Sequence, residues 1–113
     1  MLEIDKQNNI LLTRGDTAYI DIIDFYDIDG NPYTLEEGDN IYFRLRTSRV
    51  LLTKKLSIDL ENNTATLLLE PKDTIYLPEK THKYEIELVT HKNEHFTFVA
   101  DKNFTIGKEQ EVH

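Results

Sequence analysis

Two histidines and a glutamate form the most specific chemical pattern in the chain. His91, Glu94 and His95 match the H-x-x-E-H pattern of one class of zinc proteases. That chemistry needs a helix, which turns both histidines toward one metal and the glutamate toward the attacking water. Here the three residues lie between two runs of alternating apolar and polar residues. We therefore expect a hairpin turn whose two histidines face each other across the paired strands, and no metal site.

A second pattern partly matches a calcium-binding loop. If Gly30 is the sixth position of such a loop, Asp27, Asp29 and Glu36 take three of the ligand positions. Phe25 would then stand at the first position, where it cannot bind calcium, and neither flank has a helical pattern. The segment therefore predicts a tight turn rather than a calcium site.

A third pattern is the tripeptide Arg14-Gly15-Asp16, which integrins bind in extracellular matrix proteins. A match of three residues arises easily by chance, so it supports only a weak hypothesis. Glycine and aspartate also supply the backbone geometry of a turn. We expect a turn that opens a strand.

The sequence offers no constellation for an enzyme. Ser48 and Ser57 are its serines, and neither lies in a glycine elbow. Cysteine is absent, and the four glycines form no G-x-G phosphate loop. We expect no enzymatic activity and no cofactor.

The length and charge of the chain narrow the classes of partner. Its 113 residues fit one domain, and its net charge is -8. Such a surface repels nucleic-acid backbones and anionic membranes, so we expect neither as a partner. No apolar run approaches the roughly 20 residues of a membrane-spanning helix. Residues 1–9 are polar and acidic, unlike a secretory signal, so we expect no signal peptide.

A period of two in hydrophobicity recurs along the chain and predicts strands with one buried face. The apolar sets are Ile41, Phe43 and Leu45; Ala65, Leu67 and Leu69; Tyr84, Ile86 and Leu88; and Phe96, Phe98 and Ala100. We expect an all-β, antiparallel sandwich of seven to nine short strands over residues 1–107, followed by a polar tail at 108–113. One strand should run over residues 17–26 with a bulge near Ile22 and Ile23. Pro71 and Pro78 bound one helical turn at 71–77.

The order of several short phrases resembles a known family. They are Leu12-Thr13-Arg14-Gly15-Asp16-Thr17, Asp27-Ile28-Asp29-Gly30-Asn31-Pro32-Tyr33, the segment 38–46, Leu69-Glu70-Pro71-Lys72-Asp73-Thr74, the segment 84–88, and Phe104-Thr105-Ile106. This order is similar to that of the N-terminal immunoglobulin-like domain of the phage baseplate upper protein family, from tailed phages and prophages of Gram-positive bacteria. The chain departs from the family pattern in its last hairpin, where Lys92, Asn93 and Glu94 replace the usual Asp-Gly turn.

The resemblance implies an immunoglobulin-like sandwich with a structural role. Such a domain would dock onto other virion proteins of the tail or baseplate, and homo-oligomers are candidates as well. It would reside in the virion, or in the host cytoplasm before assembly.

A stand-alone surface-binding module, of the carbohydrate-binding or adhesin kind, is the alternative. That alternative would present exposed aromatic residues, for which Tyr19, Tyr26, Tyr42 and Tyr76 are the candidates.

One segment is a candidate partner-contact patch. It combines two leucines with basic residues on an otherwise acidic protein: Arg49, Leu51, Leu52, Lys54 and Lys55. The alternative is a sheet edge that its lysines protect from unwanted pairing.

Overall fold

The alternating apolar runs form the strands of two packed β-sheets in the computed structural model, which describes residues 1–108. The elements of that part are β1 (Leu2–Ile4), β2 (Ile10–Thr13), β3 (Ala18–Ile22), β4 (Asn40–Arg46), β5 (Val50–Lys55), β6 (Ser57–Asp59), β7 (Thr64–Leu69), α1 (Pro71–Thr74), β8 (Thr81–Val89) and β9 (His95–Gly107). One sheet has six strands in the order β1-β2-β9-β8-β4-β5, and the other has three in the order β3-β7-β6. The predicted β-sandwich with one helical turn is confirmed.

The order of the strands is that of an immunoglobulin domain. Strands β9, β8, β4 and β5 follow the order G-F-C-C′, and β3, β7 and β6 follow the order B-E-D. One pair departs from the antiparallel expectation, because β2 runs parallel to the end of β9, with Ile10 opposite Phe104. The chain reaches this edge of the larger sheet before it crosses to the smaller one.

Three of the four predicted alternations form the core. The inward residues of β4, β7 and the central part of β8 are buried, and Phe43 stacks against Tyr84 and edge-on against Phe104. The fourth alternation is broken. The pairing of β8 with β9 shifts register around Ile86, so that Phe98 and Val99 both pack partly against the core while Ala100 is exposed. The sequence pattern could not reveal a shift that depends on the partner strand.

The third strand is shorter than predicted. It ends at Ile22, and the following Ile23 is 65% exposed instead of packing at a bulge. The chain leaves the sheet there, and Phe25 becomes buried by stacking edge-on against Phe98. A bridge between Tyr26 and Pro32 then closes a separate turn.

The helical turn is also shorter than the predicted 71–77. It spans Pro71–Thr74, and hydrogen bonds of the turn continue to Leu77. The Asp73 carboxylate accepts a hydrogen bond from the backbone N–H of Glu70, 2.8 Å away, which closes the first turn. No described helix is long and apolar enough to cross a membrane.

The last strand continues well past the predicted alternation of Phe96, Phe98 and Ala100. It turns at Asp101, which has a φ of 55°, and includes residues 103–106. Strand β9 ends at Gly107. Of the predicted tail, Lys108 is exposed and residues 109–113 lie outside the described part.

Candidate functional site

The predicted contact patch lies on β5, which forms an edge of the six-stranded sheet. Its residues do not share one face. Lys54 stands opposite Phe43 and Leu52 opposite Leu45, so both lie on the core side of the sheet. Leu52 packs against the core, and the Lys54 ammonium binds the Asp73 carboxylate at 2.9 Å. Leu52 thus anchors β5 to the core, and Lys54 joins it to the helical turn.

The rest of the patch is more accessible. Lys55 is exposed on the outer face, opposite Tyr42, and Arg49 is exposed in the turn before β5. Leu51 is half-buried at the irregularity that shifts the pairing of β5 with β4. A partner that approaches this edge would meet Arg49, Lys55 and the half-exposed Val50. The assignment of the patch to a partner stays a prediction.

A polar cluster lies where the loop before β4 meets the β8–β9 turn. We call Tyr33, Glu36, Asp39 and His91 the Asp39 cluster. The buried Asp39 carboxylate accepts hydrogen bonds from the backbone N–H groups of Glu36 and His91 and from the Tyr33 hydroxyl, each at 2.8 Å. His91 Nδ1 lies 3.0 Å from the same carboxylate, and its Nε2 lies 3.2 Å from Glu36. The cluster joins two loops that are 52 residues apart in sequence.

The contacts of the cluster shift two pKa values. Burial by itself raises the pKa of Asp39, but the hydrogen bonds from Glu36, His91 and Tyr33 outweigh it, and the pKa falls below its ordinary value. Burial and the hydrogen bond to the Asp39 carboxylate raise the pKa of Tyr33 well above its ordinary value. The cluster is therefore built to hold one carboxylate ionised beneath a neutral phenol.

The cluster has the acid and the imidazole of a catalytic site. Its imidazole contacts two carboxylates, Asp39 and Glu36, and its one hydroxyl, that of Tyr33, donates to Asp39. Its clear role is to fasten the Gly38 turn to the β8–β9 turn. Sequence reasoning missed it, although Asp39 behind a turn glycine could have marked a capping carboxylate.

The H-x-x-E-H pattern forms the predicted hairpin turn, with Asn93 at a φ of 62°. The expected facing of its histidines is wrong. His95 stands opposite Val89 and its Nδ1 lies 3.3 Å from Glu87, whereas His91 turns toward Asp39. Residues 1–108 contain no group of three or more side chains placed to hold a metal ion.

The calcium-like segment forms a tight turn. One carboxylate oxygen of Asp27 accepts hydrogen bonds from the backbone N–H groups of Asp29 and Asn31, and Gly30 adopts a φ of 81°. Its proposed last ligand, Glu36, instead belongs to the Asp39 cluster. The prediction of a turn is confirmed.

The Arg-Gly-Asp segment is likewise a turn packed onto the protein. Arg14 forms an ion pair with Glu79 at 3.2 Å, and the backbone N–H of Gly15 donates to the Thr74 hydroxyl at 2.9 Å. The Asp16 carboxylate binds the N-terminal ammonium of Met1. All three residues of the motif thus make contacts within the chain, and that of Gly15 fastens the turn to the helical turn.

A mostly apolar cleft lies beside β3, and we call it the β3 cleft. Its volume is about 390 Å³. It is lined by Ile4, Asn8, Ile10, Ile20, Asp21, Ile22, Ile23, Asp24, Tyr26, Phe43, Leu67, Tyr84, Ile86, Phe98 and Val99. Sequence reasoning missed this cleft. The adjacent Ile22 and Ile23 were its one signal, and they indicated a bulge instead.

The four candidate tyrosines do not form one binding platform. Tyr19 is 69% exposed on the outer face of the small sheet, whereas Tyr42 lies under the Arg44 guanidinium on the outer face of the large sheet. Tyr76 follows the helical turn and is 91% exposed, and Tyr26 lies at the β3 cleft. A flat sugar-binding surface would need several of these rings side by side.

Comparison with known proteins gives no relative: no family model, no curated protein and no solved structure matches the chain. The family resemblance therefore stays an expectation that depends on the sequence phrases alone.

Proposed function

We propose that the chain is a non-enzymatic docking module of a phage or prophage tail or baseplate, which binds other virion proteins through its sheet edges and the cleft beside one of them. The observation that carries the docking role is the β3 cleft. The cleft is mostly apolar and open, and it lies beside a strand that pairs on one side only; exposed apolar surfaces and free strand edges are both used to bind proteins.

The placement of the polar side chains supports a role without catalysis. The three sequence patterns that could do chemistry all form turns: the H-x-x-E-H hairpin, the Asp27 turn and the Arg14 turn. Each contains hydrogen bonds or ion pairs within the chain. These contacts fix the shapes of the loops and account for the polar groups without a catalytic role.

The assignment to a tail or baseplate draws on the sequence. The phrases from Leu12 to Ile106 follow the order of the baseplate upper protein family, and the sandwich topology agrees with the fold which that resemblance implies. An acidic module with a net charge of -8 suits partners that present basic surfaces. Repeated copies of a partner, arranged by symmetry, would bind several copies of the chain.

Co-sedimentation tests the proposal. A strain that carries the gene, with a short epitope tag placed on the chain, is induced to produce phage, and the particles are purified through a density gradient. The proposal requires the tagged chain in the fraction that contains tails. Its presence only in the soluble fraction would contradict the proposal.

A glycan array distinguishes the virion docking module from the alternative, a surface-binding module. The virion proposal requires that the purified chain binds no glycan above background. Saturable binding to one sugar class, lost in Tyr19→Ala or Tyr76→Ala, would favour the surface-binding module instead.

Light scattering over a concentration series measures the oligomeric state of the purified chain. A closed oligomer would show that the chain carries the symmetry of the assembly itself. A monomer would show that a partner supplies that symmetry.

A further inference from the structure

The small sheet lacks the strand that would stand beside β3. In immunoglobulin domains the B strand pairs with strand A in a sheet of order A-B-E-D. Here both N-terminal strands, β1 and β2, join the large sheet, and β3 pairs only with β7 among the described strands. The outer edge of β3 therefore presents unpaired main-chain groups.

The β3 cleft runs along this edge. Three consecutive residues of β3, Ile20, Asp21 and Ile22, line it, although successive side chains of a strand point to opposite faces. The lining also includes the buried Phe43 and Leu67, so the cleft opens beside this edge and reaches inward between the two sheets. Across the cleft lie Phe98 and Val99, in a part of β9 that β2 does not reach, because β2 pairs only with residues 104–107.

Apolar side chains remain exposed around the cleft. Ile4 is 47% exposed, Ile23 65% and Tyr26 43%, and all three line it. Single exposed apolar residues are ordinary on protein surfaces, but three that surround one open hollow mark a binding surface. An inserted strand would cover them with alternate side chains.

The charge around the cleft indicates the kind of strand. Asp24 belongs to the lining of the cleft, which contains no lysine or arginine among the described residues. The Asp21 carboxylate lies on the outer face of β3, where it accepts a hydrogen bond from the Thr66 hydroxyl at 2.7 Å, and would face the outward side chains of a strand paired with this edge. A second copy of the chain would bring the same two carboxylates and a net charge of -8 to this edge. Like charges across an interface are strongly unfavourable, which disfavours self-pairing and favours a cationic partner.

We propose that the β3 edge accepts an extended segment of another protein in which apolar residues alternate with lysine or arginine. The segment forms main-chain hydrogen bonds with β3, places its apolar side chains in the cleft, and directs its cations toward Asp21 and Asp24. About five residues, or about 17 Å of strand, match the length of β3. This inference rests on the docking function proposed above and adds the site and the chemistry of the partner.

A peptide selection tests the inference. A yeast-displayed library of random twelve-residue peptides is sorted for binding to the purified chain at low salt. We expect enriched peptides in which apolar and basic residues alternate. When the best synthetic peptide is added, hydrogen exchange should slow at the β3 amides that do not donate to β7.

Two charge-reversed variants provide the matched comparison. Asp24→Lys places a cation at the cleft, and Glu61→Lys makes the same change of net charge at the exposed β6–β7 turn, outside the cleft lining. Circular dichroism confirms that each folds. We expect Asp24→Lys to weaken binding about tenfold and Glu61→Lys to leave it nearly unchanged. Ile23→Thr, which removes an apolar contact and keeps the charge, should also weaken binding.

Four results would overturn the inference: no enrichment, enriched peptides without basic residues, protection that lies outside β3, or equal binding by Asp24→Lys and Glu61→Lys. The outcome is separable from that of the proposed function. A chain that is missing from phage particles but binds such peptides at β3 keeps the strand site and loses the virion role.

Discussion

His91 contacts Asp39 twice, through its backbone N–H at 2.8 Å and through its ring Nδ1 at 3.0 Å. The Asp39 side chain is fully buried, whereas that of His91 is 32% exposed, so the contacts join the surface to the interior between two loops. Each loop carries a residue with a positive φ next to the contact, Gly38 in one and Asn93 in the other. The pair therefore couples the shapes of the two turns at this end of the sandwich.

Asp39→Asn should lower the free energy of unfolding at pH 7 by about 1–3 kcal/mol, because it leaves buried donors poorly matched. The folded protein lowers the pKa of Asp39 below the ordinary 3.8, so the stabilisation is full above pH 3.8 and falls as the pH drops through the folded value. Urea unfolding at pH 7 and pH 3 measures this. Asp29→Asn, an exposed change, is the control. If the free energy of unfolding of Asp39→Asn falls between pH 7 and pH 3 by as much as that of the wild type, the account is contradicted.

The Tyr84 hydroxyl should lose its proton at a higher pH than an exposed tyrosine does. Burial, with the negative charge of Asp5, raises the pKa of Tyr84 to about 12, and its hydroxyl donates to the backbone carbonyl of Asn8. Because the folded pKa lies above the unfolded value near 10, the stabilisation is full below pH 10 and is lost as the pH rises through about 12. Absorbance at 295 nm should show a late phenolate step that shrinks in Tyr84→Phe and persists in the exposed control Tyr76→Phe. An unchanged late step in Tyr84→Phe would refute the assignment.

Gly38→Ala should destabilise the protein more than Gly30→Ala does. Both glycines have a positive φ, 93° and 81°, so an alanine at either costs about 1–2 kcal/mol of backbone strain. At Gly38 the added Cβ would also lie 3.0 Å from His91 Cβ, whereas at Gly30 it meets open space. Thermal unfolding of both variants gives the comparison. Equal losses would show that the Gly38 turn can move away from His91.

Lys54→Met should lower the free energy of unfolding by about 1–2 kcal/mol, because it leaves the nearly buried Asp73 carboxylate without its cation. Lys55→Met is the neighbouring control: its side chain is exposed on the other face, so the loss should stay within about 0.5 kcal/mol. Chemical denaturation of the two variants measures the difference. Equal small losses would mean that Lys54 belongs with the accessible residues of the predicted patch.

The sequence predicted those parts of the fold that depend on local chemistry. Alternation in β4, β7 and β8 placed Phe43, Leu67 and Ile86 in the core, and the glycine and asparagine residues marked the turns. The end of β3 was missed because Ile22 and Ile23 are equally apolar, and only the packing of Phe25 on Phe98 shows where the chain leaves the sheet.

The candidate site was harder to predict for a related reason. The Asp39 cluster joins residues 52 positions apart, and no local pattern relates them. The β3 cleft exists because β1 and β2 join the large sheet instead of pairing with β3. The sequences of β1 and β2 alone do not indicate which strand they pair with. Lys54 was assigned to a surface patch because its attachment to Asp73 depends on how the helical turn packs.

The copy number and position of the chain in purified particles test the central claim most directly. Quantitative mass spectrometry gives copies per particle, and gold-labelled antibody in negative stain gives the location. The docking account predicts several copies per particle, constant between preparations, with label at the tail or baseplate. Label elsewhere, or a copy number well below one per particle, would contradict it.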